Sequence, residues 1–311
     1  MYKNVDIITR DQIKELRITA KEKYEWVDNV IKNKNKYILP VKTRIPLNSS
    51  DYFNVMPCVL PPENILGVKV VTRNTLRREK GGDNIDGDIL LYSYDDFMPT
   101  ALIDGGYITT IRTAAVAVHS MMNLIKLNQM GERKLPLKIA MIGLGKIGTE
   151  IGNILFELYK DKHIIVKLFK YKGQDEIFMN KFSNYSNVQF EQCDSIVSLM
   201  SDSDVIFSSV TYAEDDFCSP SIYKDKCIVF PVHLRGFREC DKQFDTIITS
   251  DLESIKKFKY YNEMKNLLYI DDVIIGNDKN ECRGGKIVVY NLGLAIYDLY
   301  FANQILKKYL K

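Results

Sequence analysis

The sequence predicts an α/β protein in which a doubly wound parallel sheet is inserted into a smaller α+β module built from both ends of the chain. Three observations lead there. Apolar, strand-like runs alternate with helix-length segments from residue 137 onward. A glycine-rich turn joins the first of those runs to a helical segment. The final stretch carries apolar residues at helical spacing, as a closing helix needs if it is to return and pack on the front module.

Size and composition support two domains. A chain of 311 residues exceeds the usual single core, and 46% hydrophobic with 27% charged residues excludes disordered and fibrous classes. In the front half, helix-like polar segments from Arg10 to Asn33 give way to strand-like runs at Lys69–Thr72 and Asp88–Tyr94, separated by the turn-rich pieces NSSD, LPPEN and EKGGDN. From Thr113 the pattern AAVAVHSMMNLIKL predicts a connecting helix, followed by the loop GERKLP. Strands are then predicted in LKIAMI, HIIVKLF, VQF, DVIFSSV, CIVFPVH and DTIITSD. Several are apolar throughout, as strands covered on both faces must be. A strand-like KIVVY precedes the last helix, whose apolar residues are Leu294, Ile296, Leu299, Ala302 and Ile305. The expected division is residues 1–116 with 290–311 for the front module and residues 117–289 for the inserted parallel-sheet domain.

Charge and cysteine usage remove several function classes. The net charge of +3 comes from 43 basic and 40 acidic residues spread along the chain. No basic stripe exists to neutralise a phosphate backbone, so no nucleic-acid partner is expected. The six cysteines, Cys58, Cys193, Cys218, Cys227, Cys240 and Cys282, include no CxxC pair. Neither a zinc site nor a disulfide framework is indicated, and free thiols suit a reducing, cytoplasmic setting. No apolar run approaches a bilayer's thickness, so no membrane association is expected.

The motif with the most chemistry is GLGKIG, residues Gly143, Leu144, Gly145, Lys146, Ile147 and Gly148, between the strand LKIAMI and the helical run TEIGNILFELYK. Gly143 permits the tight turn, Gly145 lets backbone approach a pyrophosphate, and Gly148 lets the helix pack on the strand. This is a Rossmann-type arrangement, and it implies NAD or NADP. The acidic residue that usually meets the ribose hydroxyls at the end of the second strand is missing, since HIIVKLF is followed by Lys170, Tyr171 and Lys172. Lys170 and Lys172 favour a 2′-phosphate, hence NADP, by charge complementarity; exposed surface lysines would give the same pattern. In the front module Arg44, Lys69 and Arg112 stand in strand or loop contexts. Lys69 is conspicuous, because an apolar strand buries a lysine only with an anionic partner.

The segments FNVMP, GVKVVT, ALIDGGYITTIRTAAVAVHS, GLGKIG and YNLGLAIYDLYFA, in this order and spacing, resemble the successive motifs of the ornithine cyclodeaminase/mu-crystallin family. The resemblance implies that Arg44, Lys69 and Arg112 grip a substrate α-carboxylate, with arginine forks suited to bidentate contact. It implies that Thr113 and Ala114 start a helix near the cofactor phosphates. It also implies that Lys69 is catalytic together with Asp241 in VHLRGFRECD, the acid/base at the substrate nitrogen, and that the chain forms a homodimer through the front module, which also binds the substrate. The expected activity is NAD(P)-dependent hydride transfer at the α-carbon of a small amino or imino acid. Cyclodeamination of ornithine to proline and ammonia is the alternative, and a non-catalytic, NADP-binding mu-crystallin-like protein a further one. Two features bear on the substrate. Asn54 replaces the acidic residue that meets a distal amine in ornithine cyclodeaminases, and Arg73, Arg77 and Arg78 follow the Lys69 strand.

Overall fold

The computed structural model describes residues 5–128, 136–276 and 285–311, apart from the side chain of residue 78. Most of the loop GERKLP and Cys282 lie outside the described residues, as does the side chain of Arg78. The chain divides into two compact units, residues 1–112 with 293–311 and residues 113–292.

The first unit opens with β1 (Asp6–Ile8), α1 (Arg10–Glu15) and α2 (Ala20–Asn33). Both helices start at a threonine whose hydroxyl accepts from the backbone three residues on, while a Gln12 or Glu22 side chain returns the bond. There follow β2 (Thr43–Pro46), β3 (Tyr52–Leu60), β4 (Ile65–Arg73), α3 (Leu76–Glu79), β5 (Ile85–Ser93), β6 (Pro99–Asp104) and the long helix α4 (Gly105–Leu127). The sheet has the order β1-β6-β5-β4-β3-β2. All pairs are antiparallel except β1 with β6. Along β4 the alternation of the strand sends Ile65, Gly67, Lys69 and Val71 to the buried face.

The second unit begins within α4 and continues through β7 (Leu137–Ile142), α5 (Lys146–Leu158), β8 (Ile164–Phe169), α6 (Gln174–Lys181), β9 (Val188–Cys193), α7 (Ile196–Ser201), β10 (Val205–Ser208), β11 (Ile228–Pro231), α8 (Cys240–Gln243), β12 (Thr246–Thr249), α9 (Leu252–Ile255), β13 (Leu267–Tyr269), α10 (Ile270–Ile275) and β14 (Ile287–Tyr290). Its eight strands run in the order β13-β12-β14-β11-β10-β7-β8-β9, every pair parallel. The order reverses at β7, where crevices for ligands form in open parallel sheets. One side is packed by Ala140, Ile206, Val229, Ile247 and Val288 against Leu199, Phe237 and Phe244. The chain closes with α11 (Ala295–Tyr309) in the first unit, lying on β3, β4, β5 and α2, where Trp26 meets Phe301 edge-on at 5.0 Å.

Three expectations change. The connecting helix does not begin at Thr113 but at Gly105, because Asp104 accepts a hydrogen bond from the Tyr107 amide at 2.6 Å and caps the weak first turn GGYITT. Arg112 therefore stands inside a helix, not in a strand or loop. Thr113 is half-buried in the helix interior, so it offers no helix N-terminus to a phosphate. In addition, β1, β2, β6 and β13 escaped the sequence reading. β1 and β13 are three residues long and β2 is an edge strand with every residue exposed, so these three carry no two-residue hydrophobic alternation, whereas β6 does alternate, with Ala101 and Ile103 buried and Leu102 exposed.

Among the described residues no helix is long and apolar enough to cross a membrane. Cys58, Cys193, Cys227 and Cys240 are buried free thiols, and Cys218 is a half-buried one.

Candidate active site

In the first unit a buried ionic cluster forms around Lys69. Its ammonium donates to Asp298 Oδ1 and to Thr109 Oγ1, each at 2.7 Å. Arg112 Nε donates to the same Asp298 oxygen at 2.8 Å. Lys69 is 1% and Asp298 0% exposed, so neither charge is solvated and each depends on the other. Burial pushes the Lys69 ammonium down to about 8, against the pull of Asp298. Burial pushes the Asp298 carboxyl up, but Arg112 and Lys69 outweigh it and hold it below its ordinary value.

What the cluster leaves unspent matters for chemistry. An ammonium has three donors and two of Lys69's are used; Arg112 commits Nε, which leaves the terminal nitrogens of its fork. Asp298 and Thr109 were not singled out in the sequence. A signal existed for Asp298: it replaces an apolar residue in the stripe Leu294, Asp298, Ala302, Ile305, as Lys69 does in its strand. Two opposite charges at two core positions predict each other.

Arg44 is not part of this cluster. Through the pairs Arg44↔Asn54 and Asn54↔Val71 it lies on the same sheet face as Lys69, two strands away, which at strand spacing is about 10 Å sideways. It is exposed on the edge strand, its guanidinium 4.0 Å from the centre of the Tyr52 ring. Beside it Asn54 holds a buried side-chain oxygen with no hydrogen-bond partner. Arg73 lies on that face too, four residues beyond Lys69 along β4, about 13 Å at strand rise. Arg77 belongs to the short α3.

In the second unit the GLGKIG turn has one crowded end and one open middle. Gly143 adopts φ +82°, and a Cβ there would stand 2.7 Å from the Ser209 carbonyl carbon. A Cβ on Gly148 would meet the Gly143 oxygen at 2.5 Å. A Cβ on Gly145, the N-cap of α5, would meet nothing within 4 Å. Gly145 and Lys146 at this helix start are exposed, flanked by the half-buried Leu144 and Ile147, and Ser209 Oγ is buried without a partner. These features fit a dinucleotide's pyrophosphate. Gly148→Ala is expected to weaken dinucleotide binding at least tenfold because β7 and α5 must part; an unchanged dissociation constant by calorimetry would contradict this role.

Beyond β8, Lys170 pairs with Asp194 at 2.7 Å in solvent, and Lys172, at φ +52°, lies over the Tyr171 ring. The first acidic residues after this loop, Asp175 and Glu176, lie in the first turn of α6. Asp175 is nevertheless buried against this loop, accepting from the Tyr171 amide at 3.3 Å and from Gln192 at 2.6 Å.

Asp241 sits on α8, in the same unit, 3% exposed. Tyr290, at the end of β14, donates its hydroxyl to Asp241 Oδ1 at 2.6 Å, and Phe258 packs edge-on against the Tyr290 ring. Burial pushes the Asp241 carboxyl up to about 7; the Tyr290 hydrogen bond opposes this, and Asp216 and Glu239 reinforce it. A carboxyl poised there can both give and accept a proton near neutrality. Tyr290 is a partner that sequence spacing could not reveal, being 49 residues away.

Comparison with known proteins follows the same line. The chain is 23% identical over 275 residues to the nodulation efficiency protein NfeD of Rhizobium meliloti, covering 86% of this chain and 82% of that one. It is 23% identical over 286 residues to a Delta(1)-pyrroline-2-carboxylate reductase of Bacillus thuringiensis subsp. konkukian, with 87% and 86% covered. The structure of Thermococcus litoralis Delta(1)-pyrroline-2-carboxylate reductase, in complex with NADH and L-proline, superposes with a TM-score of 0.82 at 19% identity over 98% of both chains, which establishes the shared fold. The family model described as ornithine cyclodeaminase/mu-crystallin matches residues 4–238, and the chain belongs to the ornithine cyclodeaminase/mu-crystallin family.

Proposed function

We propose that this protein is an NAD(P)-dependent oxidoreductase that reduces a small cyclic or acyclic imino acid, or oxidises the matching α-amino acid, at the α-carbon. The observation that carries the reading is the sharing of one Asp298 oxygen by Lys69 and Arg112. Two buried cations and one buried anion leave a single positive charge with unspent donors, which suits a monocarboxylate. The relatives named as pyrroline-2-carboxylate reductases act on a molecule of that class.

The GLGKIG turn with Gly143, Gly145 and Gly148 would hold the pyrophosphate, and a bound nicotinamide would supply or take the hydride. The chain's own residues do the rest. Lys69 and Arg112 bind the carboxylate and so orient the α-carbon, with Arg44 joining them if it leaves Tyr52. Asp241 holds the proton that the substrate nitrogen gains or loses, and Tyr290 steadies its carboxyl. Lys170 and Lys172 favour NADP over NAD, although a 2′-phosphate must compete with Asp194 for Lys170. Asn54, a neutral residue, offers no counter-charge to a distal ammonium, which sets diamino acids and hence cyclodeamination behind imine reduction. A homodimer is part of this reading.

A panel of NADH, NADPH, NAD and NADP with Δ1-pyrroline-2-carboxylate, proline, alanine and ornithine tests it. Cofactor absorbance is expected to fall with the cyclic imine, with a lower KM for NADPH than for NADH. Proline and ammonia from ornithine without absorbance change would replace the proposal with cyclodeamination. Silence across the panel would point to a binding protein.

A further inference from the structure

We propose that Asp298 is a positioning residue of the carboxylate grip: it keeps Lys69 an ammonium and takes one donor from each cation, so that the remaining donors serve one monoanionic ligand. The inference rests on the function proposed above. A purely structural ion pair would spend both carboxylate oxygens, typically on the two parallel N–H groups of an arginine fork. Here Oδ1 accepts from both Lys69 and Arg112, while the buried Oδ2 has no partner. Arg112 is held side-on by Nε, the geometry that leaves its fork for something else. Gly293 lies against that fork, where a Cβ would come within 3.2 Å of a terminal nitrogen, so even a methyl group would crowd it.

The local fold supplies the charge. Asp298 lies in the first turn of α11, where the helix dipole favours an anion. The charged groups acting on Lys69 are Asp298 from α11 and Arg112 from α4, of opposite effect. Thr109 accepts from Lys69 and itself donates to the Gly105 carbonyl at 2.5 Å, so it orients the lysine without adding charge. With Asp298 neutralised, burial and Arg112 act unopposed and Lys69 sheds its proton at neutral pH.

The test uses the full chain with lysines labelled at Cε, read by NMR against pH without substrate, alongside kinetics. In Asp298→Asn the Lys69 signal is expected to titrate at least one pH unit lower than in wild type. KM for Δ1-pyrroline-2-carboxylate should rise at least threefold at pH 7.5 and recover at pH 6, with the dinucleotide dissociation constant unchanged. A recovery on acidification is something lost packing would not produce. A folded Asp298→Asn whose Lys69 titration and KM match wild type overturns the proposal. Should that variant not fold, Asp298→Glu keeps the charge but displaces it: the Lys69 titration should stay within half a pH unit while KM rises at least fivefold, and an unchanged KM overturns the positioning role. Because the titration needs no turnover, a wild type inert toward every imine would sink the proposed reaction and leave the ammonium assignment to be decided by NMR.

Discussion

Replacement of Lys69 by methionine is expected to abolish most turnover while leaving the dinucleotide bound. Removing one charged partner from a buried, hydrogen-bonded contact costs about 2–5 kcal/mol, equivalent to a loss of roughly 30- to 4,000-fold in kcat/KM for an imino carboxylate. The fold should persist, because Arg112 still neutralises Asp298 through the shared oxygen. Methionine also keeps the stem volume in a face lined by Ile65, Val71 and Ile89. Stopped-flow turnover and a fluorescence titration of the dinucleotide check both halves. A parallel fall of the two would mean that Lys69 supports the whole protein and not a ligand, and the carboxylate assignment would be lost.

The second large effect belongs to Asp241 and to pH. Its carboxyl, raised to about 7 by burial, carries a proton below that value. Imine reduction needs the proton, so its kcat/KM should fall as pH rises through 7; amine oxidation needs the empty carboxylate and should rise over the same interval. Above about 8 both directions should decline as Lys69 loses its charge. Asp241→Asn, nearly isosteric, is expected to lower kcat by about 10²–10⁴ and to erase the limb near 7 while the one near 8 remains. The same group speaks to stability. A carboxyl raised in the folded state favours folding fully below its ordinary value of 3.8 and loses that contribution as pH climbs through about 7. Melting temperature should therefore decline over that interval in wild type and less steeply in Asp241→Asn. A pH–rate profile with its limb near 7 intact in the variant would remove Asp241 from the chemistry.

Much of the architecture was legible in the residues. The strands β7, β8, β10, β11, β12 and β14 are apolar runs bounded by polar turns, and a parallel sheet covered on both faces imposes that composition. The first unit was harder to read, because its sheet has one solvent-facing side and short or edge strands. β6 passes at Asp104 directly into α4, whose first residues Gly105 and Gly106 read as a turn in the sequence, so the expected helix start falls eight residues late at Thr113. The candidate site was legible where a residue violates its surroundings. Lys69 in GVKVVT does so, and Asp298 in AIYDLYFA does so equally but has meaning only beside its partner. Arg44, by contrast, is shown apart from the Lys69 cluster, its charge resting on Tyr52.

The sequence by itself determined the alternating α/β order, the glycine turn of residues 143–148 and the presence of an inward lysine, because these depend on periodicity and on steric demands local to a few residues. Tertiary structure alone decided that Lys69 and Arg112 share an oxygen of Asp298, 229 and 186 residues away, and that Asp241 meets Tyr290. Charges placed in an interior depend on their nearest partners at a few ångströms, and that distance is set by how helices and strands pack, not by spacing along the chain.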